Sequence, residues 1–164
     1  MFFWNVLYTL TDMTQKEALE ILKMGHSVFL TGAAGSGKTF VLNEYIRFLK
    51  ERGAGVGITA STGIAATHIN GLTIHSFAGI GIKRFLNETE LKVIAGNKRV
   101  AKRMRNTQVL IIDEISMLDA DRIDLVDRVA RLARGSMAPF GGLQVILCGD
   151  FFQLPPVAEA DQPP

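Results

Sequence analysis

Eight consecutive residues, Gly32-Ala33-Ala34-Gly35-Ser36-Gly37-Lys38-Thr39, constrain this chain more than any other stretch. Before them runs the apolar Ser27-Val28-Phe29-Leu30. After them Val41, Tyr45, Phe48 and Leu49 recur at the spacing of one helical face. The pattern therefore reads as a strand, a glycine-rich turn and a helix start. Glycines let backbone N–H groups converge on an anion with no Cβ in the way. The helix start adds free N–H groups and the positive end of its dipole. In this context the octet is a phosphate-binding loop: Lys38 brings an ammonium to the β- and γ-phosphates, and the Thr39 hydroxyl is placed to ligate Mg²⁺. The loop alone does not separate a hydrolase from a domain that binds nucleotide without turnover.

The rest of the chain alternates between two periods. Thr14-Gln15-Lys16-Glu17 has capping-box spacing and predicts a helix to about Met24, closed by Gly25. Residues 27–30 are the first strand and 38–52 the first crossover helix, stopped by Gly53. Residues 56–60 form a second strand, after which Ser61 or Thr62 caps a short helix to about His68. Asn70-Gly71 is a turn, and 80–105 is loop and helix. Val109-Leu110-Ile111-Ile112-Asp113 is a third strand, apolar throughout, as strands covered on both faces are. A helix over 120–134 turns Ile123, Val126, Val129, Ala130 and Ala133 inward, and 143–148 is a fourth strand. This alternation predicts a mostly parallel α/β sheet with helices on both faces and right-handed crossovers. Ligands of such sheets sit at the carboxyl ends of the strands.

At 164 residues the chain has the size of one domain. Its net charge is only +2, but the sign is uneven. Lys83, Arg84, Lys92, Lys98, Arg99, Lys102, Arg103 and Arg105 face only Glu88 and Glu90 in the same segment, a local excess of +6. That patch is either a phosphate track or a solvated helix face. The single cysteine, Cys148, cannot form an internal disulfide and reads as a buried small hydrophobe. This fits a reducing compartment: the cytoplasm, or the nucleus or mitochondrion in a eukaryote. The apolar start, residues 1–7, is too short to span a bilayer and is expected to be a strand, or the remnant of a preceding segment, that flanks the domain. No membrane segment is expected.

The third strand ends in Asp113-Glu114, at the rim of the sheet. A carboxylate at position 113 can hold the Mg²⁺, directly or through water. Glu114, the next residue, can point at the γ-phosphate region and is the candidate for orienting or deprotonating the attacking water. Beyond the fourth strand comes Gly149-Asp150-Phe151-Phe152-Gln153-Leu154-Pro155-Pro156-Val157. The amide of Gln153 can bond a γ-phosphate oxygen and lose that bond after cleavage, as a sensor must.

Taken together these segments resemble the first RecA-like domain of superfamily 1B helicases, and among them the Pif (petite integration frequency) type. The resemblance rests on Gln15-Lys16-Glu17-Ala18-Leu19, the phosphate loop, Ser61-Thr62-Gly63-Ile64-Ala65-Ala66 and Thr73-Ile74-His75-Ser76-Phe77. It continues through Leu110-Ile111-Ile112-Asp113-Glu114-Ile115-Ser116-Met117-Leu118, Pro139-Phe140-Gly141-Gly142-Leu143-Gln144 and the block from Gly149. Residues 121–156 look like the family's signature region. The resemblance implies that Gln15 reads the adenine edge, that Thr62, Gly63, His75 and Phe77 line a single-stranded DNA path, and that Gln153 couples the γ-phosphate to domain movement. It implies a RecA-like ATP-binding domain over residues 14–157, between a flanking segment, 1–13, and a short tail, 158–164. It further implies ATP-driven 5′ to 3′ movement on single-stranded DNA by a monomer.

Helicases of this type need a second RecA-like domain that supplies arginine fingers. Nothing after Val157 could encode one, so the chain is expected to be a fragment that binds nucleotide, hydrolyses it weakly and does not unwind. Arg131 and Arg134 are available, but in the helix between the third and fourth strands. A RecD-group relative, a nucleotide-dependent switch without translocation and a P-loop kinase are the alternatives. Pro139-Phe140-Gly141-Gly142 favours the Pif type over the RecD group, and a kinase leaves Glu114 and Gln153 without a task.

Overall fold

The structure, a computed structural model, describes residues 7–9 and 13–150. Six parallel strands form one sheet: β1 (Leu7–Thr9), β2 (Val28–Thr31), β3 (Val56–Ala60), β4 (Leu72–Thr73), β5 (Val109–Asp113) and β6 (Gln144–Gly149), in the order β1-β2-β6-β5-β3-β4. Successive side chains of a strand point to opposite faces. Val28 and Leu30, Val109 and Ile111, and Ile146 and Cys148 therefore face one layer. Phe29, Leu110 and Ile112, and Val145 and Leu147 face the other. This two-sided burial is why the strands read as unbroken apolar runs.

The first layer is built by α1 (Gln15–Lys23) and α2 (Lys38–Glu51). Ala18 and Leu22 pack there against Val41, Leu42, Tyr45, Ile46 and Leu49. Gln144 fastens this layer to the sheet: its Oε1 accepts from the Tyr45 hydroxyl at 2.9 Å, and its Nε2 donates to the carbonyls of Leu22 and His26. The second layer holds α4 (Ile74–Ala78), α5 (Glu88–Gly96), α6 (Lys98–Asn106) and α7 (Ala120–Arg134). The short α3 (Gly63–His68) closes the end of β3.

The four strands expected from the sequence are present, and Thr14 makes the predicted capping box. One short strand, β4, and one helix, α4, go beyond the prediction. The flanking strand is expected over residues 1–7, of which 1–6 lie outside the described residues; β1 begins at Leu7 and pairs in parallel with β2 from Leu7↔Phe29 to Thr9↔Thr31. β4 has only two residues, too few for a periodic signal, and pairs Thr59↔Leu72 and Ala60↔Thr73. It leads straight into α4, capped by Thr73, whose Oγ1 accepts from Ser76 N at 3.2 Å. In α7 the buried face also includes Leu125 and Asp127, and Ile123 is only partly buried.

Arg131 and Arg134 are not free to serve as fingers here. Arg131 pairs with Asp127 at 2.7 Å and donates to Met137 O. Arg134 donates to the carbonyls of Gly141, Met104 and Thr107 at 2.6–2.8 Å. Asp127 also accepts from Phe140 N at 2.5 Å. These bonds fasten the turn Pro139–Gly142 to α7, with Phe140 and Gly141 at positive φ. Among the described residues no helix is long and apolar enough to cross a membrane.

Candidate functional site

The phosphate loop joins the carboxyl end of β2 to α2. Gly35 and Gly37 take φ of +79° and +91°, values that turn successive amides toward one side and that a Cβ opposes. Lys38 starts α2, and its ammonium arches over the loop to the carbonyls of Gly32 at 2.6 Å and Ala33 at 3.0 Å. Thr39 is exposed beside it. Ser36 Oγ is buried with no hydrogen-bond partner among the described residues. Such an orphaned hydroxyl in a loop of converging amides suits an anion that brings its own acceptors.

Gln15 comes from the first turn of α1 and lies on this loop. Its amide nitrogen approaches Ser36 O at 3.5 Å, the outer limit of a hydrogen bond, and a Cβ on Gly37 would stand 2.1 Å from it. The helix that carries Gln15 and the loop are thus in contact, with Gln15 itself exposed.

The acids arrive from β5, which is separated from β2 by β6 alone. Asp113 is buried at the strand end, and its Oδ1 accepts from Glu114 N at 3.0 Å. Glu114 takes a left-handed conformation, φ +53° and ψ +44°. That turn sends Ile115 into the core and leaves Glu114 half-buried at the rim. Beneath them, Cys148 of β6 is buried as expected. Its thiol is pushed well up, first by burial, then by the charge of Asp113 and a hydrogen bond to it, with Glu114 raising and Lys38 lowering it. Thr31 of β2 pairs with Gly149 and Ile112 of β5 with Leu147, so the loop that Lys38 crosses and the two acids flank the end of β6 from its two sides. Ser61 N donates to Asp113 O at 3.1 Å and ties the end of β3 to the same rim.

The residues fit a nucleotide with a hard divalent cation. A hydroxyl and one carboxylate are the donors Mg²⁺ takes from such sites, the rest coming from phosphate and water. Accordingly, no group of three His, Cys, Asp or Glu side chains gathers into a metal cage among the described residues.

The candidate DNA residues divide. Thr62 is half-buried and caps α3, accepting from Ala65 N at 3.2 Å, and Gly63 is exposed. His75 lies two residues past Thr73, which pairs with Ala60, so it shares the carboxyl edge with Thr62. It is half-buried against Arg122, which no local signal in the sequence connects to it. Phe77, expected to offer a stacking face, is instead a core residue with 3% of its surface exposed. Its ring fills the notch left by Gly57, where a Cβ would meet it at 2.7 Å, and Arg103 lies 5.2 Å from the ring centre. Gln153 lies outside the described residues.

A parallel sheet with helices on both faces, a phosphate loop after β2 and an acid pair after β5, is the architecture of a RecA-like P-loop domain. Within that class the profile of the PIF1-like helicase family matches residues 11–164, and the chain belongs to that family. It is 58% identical over 145 residues to the ATP-dependent DNA helicase Pif1 of Psychrobacter sp., covering 88% of this chain and 22% of that protein. It is 45% identical over 150 residues to human ATP-dependent DNA helicase PIF1, covering 92% and 23%. The crystal structure of Pif1 helicase from Candida albicans superposes with a TM-score of 0.83 at 44% identity, over 90% of this chain and 34% of that one. That of Bacteroides Pif1 bound to single-stranded DNA gives 0.72 at 35% identity, over 90% and 34%. The chain thus spans about a fifth of the length of these curated relatives and about a third of the solved chains.

Proposed function

We propose that this chain is the ATP-binding RecA-like half of an ATP-dependent DNA helicase that moves 5′ to 3′ on single-stranded DNA, with residues 14–157 as the working unit. The observation that carries the reading is geometric: the loop crossed by Lys38 follows β2 and the Asp113-Glu114 pair ends β5, and both strands flank the end of β6. The loop amides and Lys38 hold the triphosphate. Gln15, already seated on the loop, pairs its amide with the adenine edge, as glutamine does with N6 and N7. Thr39 and Asp113 hold Mg²⁺, which when bound would neutralise charge on the phosphates. Glu114 orients a water molecule and takes its proton as the oxygen attacks the γ-phosphorus and the bond to the β-phosphate oxygen breaks. Gln153 senses the γ-phosphate.

Thr62, Gly63 and His75 contribute one wall of the strand path, an assignment supported by their common edge and by the single-stranded DNA bound to the Bacteroides relative. Arginine fingers come from a second RecA-like domain, since Arg131 and Arg134 are engaged within this one. The chain works as a monomer in a reducing compartment, the cytoplasm, and the buried free cysteine supports the compartment alone.

A fluorescent ATP analogue with Mg²⁺ tests the reading on wild type and Lys38→Ala. The variant is expected to lose at least about tenfold in affinity, since removing a charged contact to a phosphate costs on the order of 1.4 kcal/mol or more. Equal affinities would end the assignment.

A further inference from the structure

The basic segment noted in the sequence is only partly consumed by the fold. Lys83 pairs with Glu90 at 2.7 Å and Arg84 lies 3.8 Å from Asp121. Arg103 donates to Ser76 O at 3.0 Å and Arg105 to Ala133 O at 2.9 Å. Lys92 of α5 remains, and so do Lys98, Arg99 and Lys102 of α6. Among the described residues the three on α6 are exposed and none has a carboxylate within ion-pair distance. The buried side of α6 is Val100, Ala101 and Met104, so these cations occupy its outer side.

Their arrangement works against the helix that carries them. The first turn contains no acid to match the positive end of the dipole and holds Lys98 and Arg99 instead. Lys98 and Lys102, and Arg99 and Arg103, are like charges four residues apart, which repel on a helix surface. A solvated face would be served better by mixed signs. Uncompensated charge held at a cost to the helix fits a polyanionic ligand.

Three further observations narrow the ligand. Arg103 bonds the carbonyl of Ser76, so α6 is fastened to the segment that carries His75. α6 itself contains no aromatic, and the exposed ring of the basic segment, Phe85, precedes α5, so the strip on α6 has no platform of its own on which unpaired bases could stack. The exposed positions of α6 are Lys, Arg and Asn, without the apolar anchor on which a protein partner's affinity centres.

We propose that the outer face of α6 binds the phosphate backbone of duplex DNA through Lys98, Arg99 and Lys102, without sequence preference, next to the single-strand path. This rests on the DNA-directed reading above. Phosphate contacts position a protein without reading bases, and each releases a counterion.

The test compares the chain with a Lys98→Gln, Arg99→Gln, Lys102→Gln variant. Anisotropy is measured on a short blunt duplex, on oligo(dT) and on poly-glutamate across a salt series. For the duplex, the slope of log affinity against log salt should fall by about 2–3, close to one per neutralised phosphate. Oligo(dT) binding should change little. The variant should melt no lower than wild type and bind the ATP analogue equally, since the removed charges repelled one another and lie outside the nucleotide site. An unchanged duplex slope overturns the proposal, as does a loss confined to oligo(dT). A loss confined to poly-glutamate overturns it in favour of an acidic protein partner. Wild type that binds no duplex at low salt also overturns it, whatever the nucleotide result. Wild type that binds duplex with the expected slope but binds no ATP analogue leaves the strip in place and removes the nucleotide reading instead.

Discussion

Arg122 Nη1 lies 2.6 Å from His75 Nε2. A guanidinium has no lone pair to offer, so the imidazole nitrogen must accept, and the ring proton is assigned to Nδ1. The contact joins the edge that carries His75 to the start of α7, where Asp119 caps the helix and lies 3.3 Å from Arg122 Nε.

That geometry has a sign in pH. Burial lowers the pKa of His75 below its ordinary 6.5, Arg122 lowers it further, and Asp119 pulls it back up. As pH falls below about 6.5 the unfolded chain takes up this proton before the folded one. The contribution of His75 to stability is therefore complete above that pH and is lost as pH drops through the folded-state value. Arg122→Leu should move the His75 midpoint upward, though not fully to 6.5, because burial is the larger cause. Ring-proton NMR titration reads both midpoints. An unmoved midpoint in the variant would remove the contact from the account.

Asp127 is 5% exposed and holds both Phe140 N and Arg131. Asp127→Ala strands a buried amide and releases a partly buried guanidinium, and should cost about 3 kcal/mol. Asp127→Asn keeps an acceptor for Phe140 N and should cost roughly half of that. Urea unfolding measures the two. An alanine variant within about 0.5 kcal/mol of wild type, the usual range of surface substitutions, would mean that this clamp does not hold the Pro139–Gly142 turn.

Gly37 is required for two separable reasons. Its φ of +91° disfavours any Cβ, and a Cβ would stand 2.1 Å from Gln15 Nε2. Gly37→Ala should cost about 1–3 kcal/mol of stability and weaken nucleotide binding. In a Gln15→Ala background the backbone part stays and only a small steric part disappears, because Gln15 Nε2 ends an exposed, flexible side chain that can swing aside, so the double-mutant cycle should show a coupling of no more than about 0.5 kcal/mol. A larger coupling would show that Gln15 is held rigidly on the loop.

The loop half of the candidate site was legible because its geometry is local. Eight residues and their flanks dictate a strand, a nest of amides and a helix start, and Lys38 stands where they put it. Asp113 was legible as the end of an apolar run. Phe77 was not, because its environment is made by Gly57 on another strand, a notch that no window around position 77 contains. The resemblance made it a residue of the single-strand path, whereas its ring is buried and Arg103 lies over it. Arg134 similarly read as a spare cation, and its three carbonyl partners come from segments 7 to 30 residues away. Strand order was out of reach for the same reason: β6 lies between β2 and β5 through pairings such as Leu30↔Cys148, more than a hundred residues apart.

Glu114 is the place where local preference and task conflict. A left-handed backbone at a non-glycine residue costs on the order of 1 kcal/mol, and glycine or asparagine would fill the position more cheaply. A carboxylate kept there at that cost is what the role proposed for Glu114 in hydrolysis requires. Glu114→Gly should therefore raise the unfolding free energy by about 0.5–1 kcal/mol while abolishing any ATP turnover the chain shows. Glu114→Gln keeps the strained backbone and the side-chain shape but cannot take a proton. It should retain nucleotide affinity, lose turnover and gain no stability. Chemical unfolding of the two variants, with phosphate release measured alongside, separates strain from catalysis. A glycine variant no more stable than the glutamine variant would show that the turn after β5 stores no strain.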